Sequence, residues 1–187
     1  MTADGATTKV LLVGPTSTPW ESIATGIEAD LARLARPGVE LTYRCTGAGP
    51  ESIRTTHDAK LAAPYVVQII LDAAHEGFGA IIVDCTADPG VAEARGVVPI
   101  PVVGAGEALR SAMATAKQPV VELTGDDLRG MDVAALVDSL RGAATVALGG
   151  TGFSHLVEIL SAANPKLVVL DPLVVALDTC LAGLQRS

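Results

Sequence analysis

Apolar and polar positions alternate along this chain with two periods, and the periods take turns. Lys9–Val13 reads as the first strand, apolar from Val10 on, and Ala80–Val83 is a short unbroken apolar run, the pattern of a strand buried on both faces of a parallel sheet. Between them, Ile23, Ile27, Leu31 and Leu34 recur at helical spacing, and Leu61, Tyr65, Gln68, Ile69 and Asp72 mark a longer helix over 58–76. Thr18, Pro19 and Glu21 predict an N-cap, a first helical residue and a capping box for the first helix. Val39–Tyr43 reads as a second strand. Pro99 and Pro101 reduce 97–103 to an extended connector ending in a short strand at Val102-Val103. A helix over about 104–117, a strand over 119–123, an acidic loop over 124–130 and a helix capped by Asp132 follow. The last strands are 144–148 and 167–170. Between them lies a helix over 153–162, and Asp171-Pro172 opens the final one, to about Leu184. Regular strand–helix alternation predicts an α/β fold of parallel sheets with right-handed crossovers. Met1–Thr8 reads as a loose tail without the apolar core of a signal peptide.

The stretch Ala80-Ile-Ile-Val-Asp-Cys-Thr-Ala-Asp-Pro-Gly90 holds the chemistry. A strand ends there, and Asp88-Pro89 has the form of a helix start. Cys85 and Thr86 lie between, at the carboxyl end of a strand, where open α/β sheets bind ligands. A helix N-terminus beside Cys85 would lower its pKa and suit it to proton chemistry on a small anionic substrate. A buried structural cysteine is the competing reading. Thr86 and the 87–90 backbone form a candidate anion nest. Val146–Thr151 overlays Ile81–Thr86, which hints at two similar lobes whose turns face each other across one cleft.

Other groups have paired readings. Pro15, Thr16 and Ser17 follow the first strand and suit ligand contact, whereas Thr18 suits capping. Gly149–Gly152 is either an anion loop with Gly150 and Thr151 or a flexible turn; without a following Lys it is no P-loop. His155 faces the cleft or solvent. His57-Asp58 reads as a polar helix start, Glu107 as a cleft residue or a helix cap, Cys180 as core, and Cys45 as ambiguous. The polar 45–56 connection is long for a compact domain, which favours a functional role.

Composition narrows the field. Of the 187 residues, 49% are hydrophobic and 18% charged, enough for a large aliphatic core. Aromatics at 3% and a net charge of −8 argue against nucleic acid and anionic membranes as partners. The three cysteines and three histidines show neither disulfide nor metal-ligand spacing, so no metal or other cofactor is expected. A reducing cytoplasm is the expected compartment.

The chain resembles the aspartate/glutamate/hydantoin racemase family, nearest its hydantoin branch. The resemblance is carried by Lys9-Val-Leu-Leu-Val-Gly-Pro-Thr-Ser-Thr18, Gly49-Pro-Glu-Ser-Ile-Arg-Thr-Thr-His-Asp58, Leu61-Ala-Ala-Pro64, Val83-Asp-Cys-Thr-Ala-Asp-Pro-Gly90, Ile100-Pro-Val-Val-Gly-Ala-Gly-Glu-Ala108, Val146-Ala-Leu-Gly-Gly-Thr-Gly152 and Leu170-Asp-Pro172. It implies two pseudo-symmetric lobes, one over about 9–104 plus the 172–184 helix and one over about 105–170. It also implies cofactor-independent proton transfer at a carbon next to a carboxylate or carbonyl, between two cysteines. The first would be Cys85. The second belongs in a Leu-Gly-Cys turn, which here is Leu148-Gly149-Gly150. The resemblance therefore implies an isomerase-like enzyme working with one cysteine on a small carboxylate or amide. A decarboxylase, other lyase or cyclase and a non-catalytic small-acid binder are the alternatives. His155 and Thr151 are the candidates for a second proton donor. The segment between Glu107 and Leu148 is short against the family, so a homo-oligomer is expected to complete the cleft.

Overall fold

A computed structural model describes residues 7–185 apart from Arg129 and Met131. The first six residues of the expected tail lie outside the described residues, and Thr8 already belongs to the first strand. Among the described residues, seven strands form two parallel sheets. The first contains β1 (Thr8–Gly14), β2 (Val39–Cys45), β3 (Ala80–Val83) and β4 (Val102–Gly104), in the order β2-β1-β3-β4. The second contains β5 (Val120–Thr124), β6 (Thr145–Gly149) and β7 (Val168–Leu170), in that order. The helices are α1 (Trp20–Leu34), α2 (Thr56–His75), α3 (Val91–Arg95), α4 (Ala105–Thr115), α5 (Gly125–Leu128), α6 (Val133–Ser139), α7 (Leu156–Ala163) and α8 (Pro172–Leu184).

The unbroken apolar runs explain the layering. Val10, Leu12, Ala80 and Ile82 face a core shared with α4 and α8, with Leu31 and Leu34 of α1 packed against it. Leu11, Val13, Ile81 and Val83 point the other way, into a core built with α2 and α3. Both faces of the first sheet are therefore covered, as a parallel sheet requires. The second sheet packs Leu123, Val146 and Leu148 against Leu128, Leu136, Leu156 and Leu160.

Ala105 and Ala108 of α4 pack in the same core as β1, β3 and α8. The structure corrects several local expectations. The first helix begins at Trp20, and Thr18 makes no cap: its hydroxyl donates to the Glu51 carbonyl at 3.0 Å, tying the β1 loop to the 46–55 connection. The acidic 124–130 segment contains α5, which opens where Asp127 accepts from the Thr124 N–H at 2.9 Å. The short helix expected from Pro89 starts instead at Val91, with Gly90 as its N-cap.

That last correction has a cause. Asp88 adopts φ +52°, a left-handed conformation that Asp tolerates better than most residues. Its carboxylate is spent on another helix: Oδ1 accepts from the Gly106 N–H at 2.8 Å, and Oδ2 pairs with Arg110 at 2.6 Å. Asp88 thus ties the β3 turn to α4. Glu107 also serves α4, accepting from the Gly104 N–H at 3.1 Å and pairing with Arg95.

Candidate active site

The order β2-β1-β3-β4 places a topological switch between β1 and β3. The chain leaves β1 towards one edge and leaves β3 towards the other. A crevice opens at the carboxyl ends of such a strand pair, and ligands of α/β proteins bind there. In this chain those ends are Pro15-Thr16 and Asp84-Cys85-Thr86. They are neighbours because the Asp84 N–H donates to the Val13 carbonyl at 2.9 Å.

A cleft of about 530 Å³ occupies this place. Pro15, Thr16, Asp84, Cys85 and Thr86 line it from the first lobe, and Gly149, Gly150 and Thr151 line it from the second. The β3 and β6 turns face each other, and the Thr86 hydroxyl donates to the Gly149 carbonyl at 3.2 Å across the gap. Ser17 is not part of this lining; its backbone N–H donates to the Pro50 carbonyl at 3.0 Å. His155 is exposed and lines a neighbouring crevice between α1 and α7, so it stands outside the cleft. Cys180 is core, 1% exposed, and Cys45 is half-buried at the end of β2.

Gly150 carries no proton, and the space where its side chain would stand is restricted. A Cβ at that position would lie 3.0 Å from the Phe153 ring. Gly149 is confined from the other side, since a Cβ there would come within 2.7 Å of the Leu123 carbonyl oxygen on β5. The β6 turn is thus packed for glycine at Gly149, whereas at Gly150 the Phe153 ring would have to give by a few tenths of an ångström.

The electrostatics of Cys85 run opposite to the sequence expectation. The helix α3 starts at Val91 rather than at Pro89. Burial pushes the thiol pKa up to about 11, a hydrogen bond with the Ala87 backbone opposes the shift, and the charges of Asp84 and Asp88 add to it. Cys85 is therefore a protonated thiol at neutral pH.

Two groups escaped sequence reasoning. Asp84 is partly buried in the cleft wall, with its Oδ1 shut off from solvent and without a hydrogen-bond partner. Burial raises its pKa to about 6; the Thr151 and Tyr43 hydroxyls favour its charged form, and Asp30 and Asp171 oppose it. The available signal was a carboxylate ending an apolar strand, in a place where no helix needed capping. Among the described residues, Arg54 is the only Lys, Arg or His lining the cleft. Its backbone N–H caps onto Asp58 at 3.0 Å, and among the described residues its guanidinium forms no ion pair. The signal there was a cation in a long polar connection. Among the described residues, no group of three or more His, Cys, Asp and Glu is arranged to hold a metal, and no helix is long and apolar enough to cross a membrane.

Comparison with known proteins identifies the family and the fold. The Asp/Glu/Hydantoin racemase family matches residues 10–127. A hydantoin racemase from Pseudomonas sp. (strain NS671) is 32% identical over 99 residues, covering 53% of this chain. The match spans only 39% of that relative's length. An allantoin racemase from Klebsiella pneumoniae superposes with a TM-score of 0.78 at 20% identity, covering 96% of this chain and 89% of the other. A variant of arylmalonate decarboxylase superposes with a TM-score of 0.62 at 13% identity, covering 96% and 92%. At these identities the structural likenesses show a shared fold.

Proposed function

The chain belongs to the Asp/Glu/hydantoin racemase family, and from that premise we propose that it is a cofactor-independent enzyme of the isomerase type. It moves a proton at the carbon next to a carboxylate or carbonyl of a small substrate, with Cys85 as an acid/base group. One observation carries this reading: Cys85 sits at the switch point of the first sheet, in a cleft closed from the far side by the Gly149–Thr151 turn. Substrate enters between the two turns. Arg54 offers a cation to its carboxylate or ring carbonyl.

A lyase is the second reading, and Gly150 favours it. Decarboxylation needs a proton delivered to one face of a carbon, and one thiol suffices for that. Racemisation needs a proton removed from one face and returned to the other.

Product analysis separates the two. Wild-type protein is incubated with single enantiomers of 5-methylhydantoin, allantoin and glutamate, and with phenylmalonate, followed by chiral chromatography and CO₂ detection. Inversion of at least one enantiomer is the expected result. CO₂ release from phenylmalonate without any inversion moves the protein to the lyase reading, and no turnover of any compound sinks both. For whichever compound turns over, Arg54→Met should raise KM about tenfold or more and leave kcat near wild type. That magnitude follows from the ~1.5–3 kcal/mol that a hydrogen bond to a charged group contributes. A change confined to kcat would remove Arg54 from substrate binding.

A further inference from the structure

We propose that Asp84 is the second acid/base group of this cleft. Its carboxylate takes the proton from the substrate carbon, and the Cys85 thiol returns one. The inference rests on the function proposed above and places the second group on the same wall of the cleft as Cys85.

Three observations carry it. Asp84 and Cys85 are consecutive and both line the cleft, yet they belong to different environments. The strand alternation that sends Ile82 towards α1 and α8 sends Asp84 the same way. There it meets Tyr43 of β2, Asp30 of α1, Asp171 at the start of α8, and the Thr151 hydroxyl from the opposite turn. Second, Oδ1 of Asp84 is sealed from solvent without a hydrogen-bond partner. A polar atom left unpaired in that way costs stability, and it persists where a site uses it. Third, no capping or ion-pair duty accounts for Asp84: Asp88 caps α4, whereas Arg33 pairs with Asp30 at 3.0 Å and Asp171 at 3.2 Å.

The protonation states fit the roles. Neighbouring titratable groups whose environments separate their pKa values divide into acid and base. At pH 7 Asp84, at about 6, is mostly ionised and can accept a proton, while Cys85, at about 11, holds one to give. In the forward step the substrate C–H bond breaks, the proton passes to Asp84, and the electron pair delocalises onto the adjacent carbonyl. Carbon then takes the Cys85 proton, leaving a carboxylic acid beside a thiolate. Proton transfer from Asp84 to Cys85 restores the starting pair with no net gain or loss.

The groups that can distort this titration are Tyr43 and Cys45 on β2, Asp30 and Arg33 on α1, Asp171 before α8, and Cys85 itself. Asn at position 84 keeps the shape and removes the base. It also tests folding separately. Asp84 binds more protons folded than unfolded between about pH 4 and its folded pKa of about 6, so its charge lowers stability as pH rises through that window. Asp84→Asn should therefore melt at or above the wild-type temperature at pH 7.

The experiment follows deuterium uptake at carbon in D₂O, using the enantiomers of 5-methylhydantoin, allantoin and glutamate, for wild type, Asp84→Asn and Cys85→Ser. The expected result is exchange by wild type and a loss of roughly 10²–10⁴-fold in Asp84→Asn. The wild-type kcat/KM should also fall below about pH 6, and that acid limb should be missing from the residual activity of Asp84→Asn. A folded Asp84→Asn within threefold of wild type, or one that keeps the acid limb, overturns the inference. If Cys85→Ser alone abolishes exchange, the proposed function stands while Asp84 loses its role. No exchange by wild type overturns both.

Discussion

Cys85→Ser should lower turnover by roughly 10²–10⁴-fold, the span that a positioned acid or base contributes. The hydroxyl is nearly the size of the thiol but a far weaker acid, so it cannot give up a proton on the catalytic timescale. The fold should survive. Cys85 is only partly buried, follows β3 rather than lying within its ladder, and belongs to none of the three apolar clusters. Melting temperature should therefore stay close to wild type while kcat collapses. A fall in kcat with an equal loss of stability would make Cys85 a packing residue, and unchanged kcat would remove it from the chemistry.

Gly106→Ala should damage both stability and activity, through a different route. Gly106 opens α4 directly against the turn that carries the thiol. A methyl group there would overlap the Thr86 carbonyl carbon and oxygen and the Asp88 carboxylate. The carbonyl is backbone and cannot swing aside as a side-chain tip can. Either α4 shifts, breaking the 2.8 Å hydrogen bond from the Gly106 N–H to Asp88, or the 84–88 turn moves. Overpacking of this kind costs about 1–3 kcal/mol. Displacing a catalytic group by about 1 Å costs on the order of 10² in rate. Thermal melting and kcat/KM measured on the same preparation check both effects. A variant with wild-type values for each would show that the turn is not braced by α4 as described.

The layout of the first lobe was legible because β1 and β3 carry the unbroken apolar runs Val10–Val13 and Ala80–Val83, and such runs have one stable place in a parallel sheet. The position of Cys85 followed from that, as did the facing of Cys85 by Gly150, since both turns end buried strands. The direction of the Cys85 pKa shift did not follow. It depends on the burial of the thiol, which tertiary packing sets, and Asp88 had two possible uses. As an N-cap it would have brought a helix terminus to the thiol. Instead it reaches Gly106 and Arg110, partners distant in sequence that no local pattern reveals. Thr18 misled for the same reason, because its hydroxyl is spent on Glu51 across the 46–55 connection. Asp84 went unread because its surroundings come from β2, α1, α8 and the β6 turn, none of which is near it in the chain. The placement of α4 also needed tertiary knowledge. Its Ala105 and Ala108 are small enough to pack against either lobe, and the structure packs them in the first.

Proton NMR of the wild-type protein in D₂O with single enantiomers of 5-methylhydantoin, allantoin and glutamate reads whether this cleft moves a proton on and off carbon through Cys85. The carbon-bound proton of at least one compound should disappear at a rate set by enzyme concentration, and Cys85→Ser should abolish that loss. Full retention of every carbon-bound proton in the presence of wild type, or equal exchange by Cys85→Ser, would contradict proton transfer through Cys85.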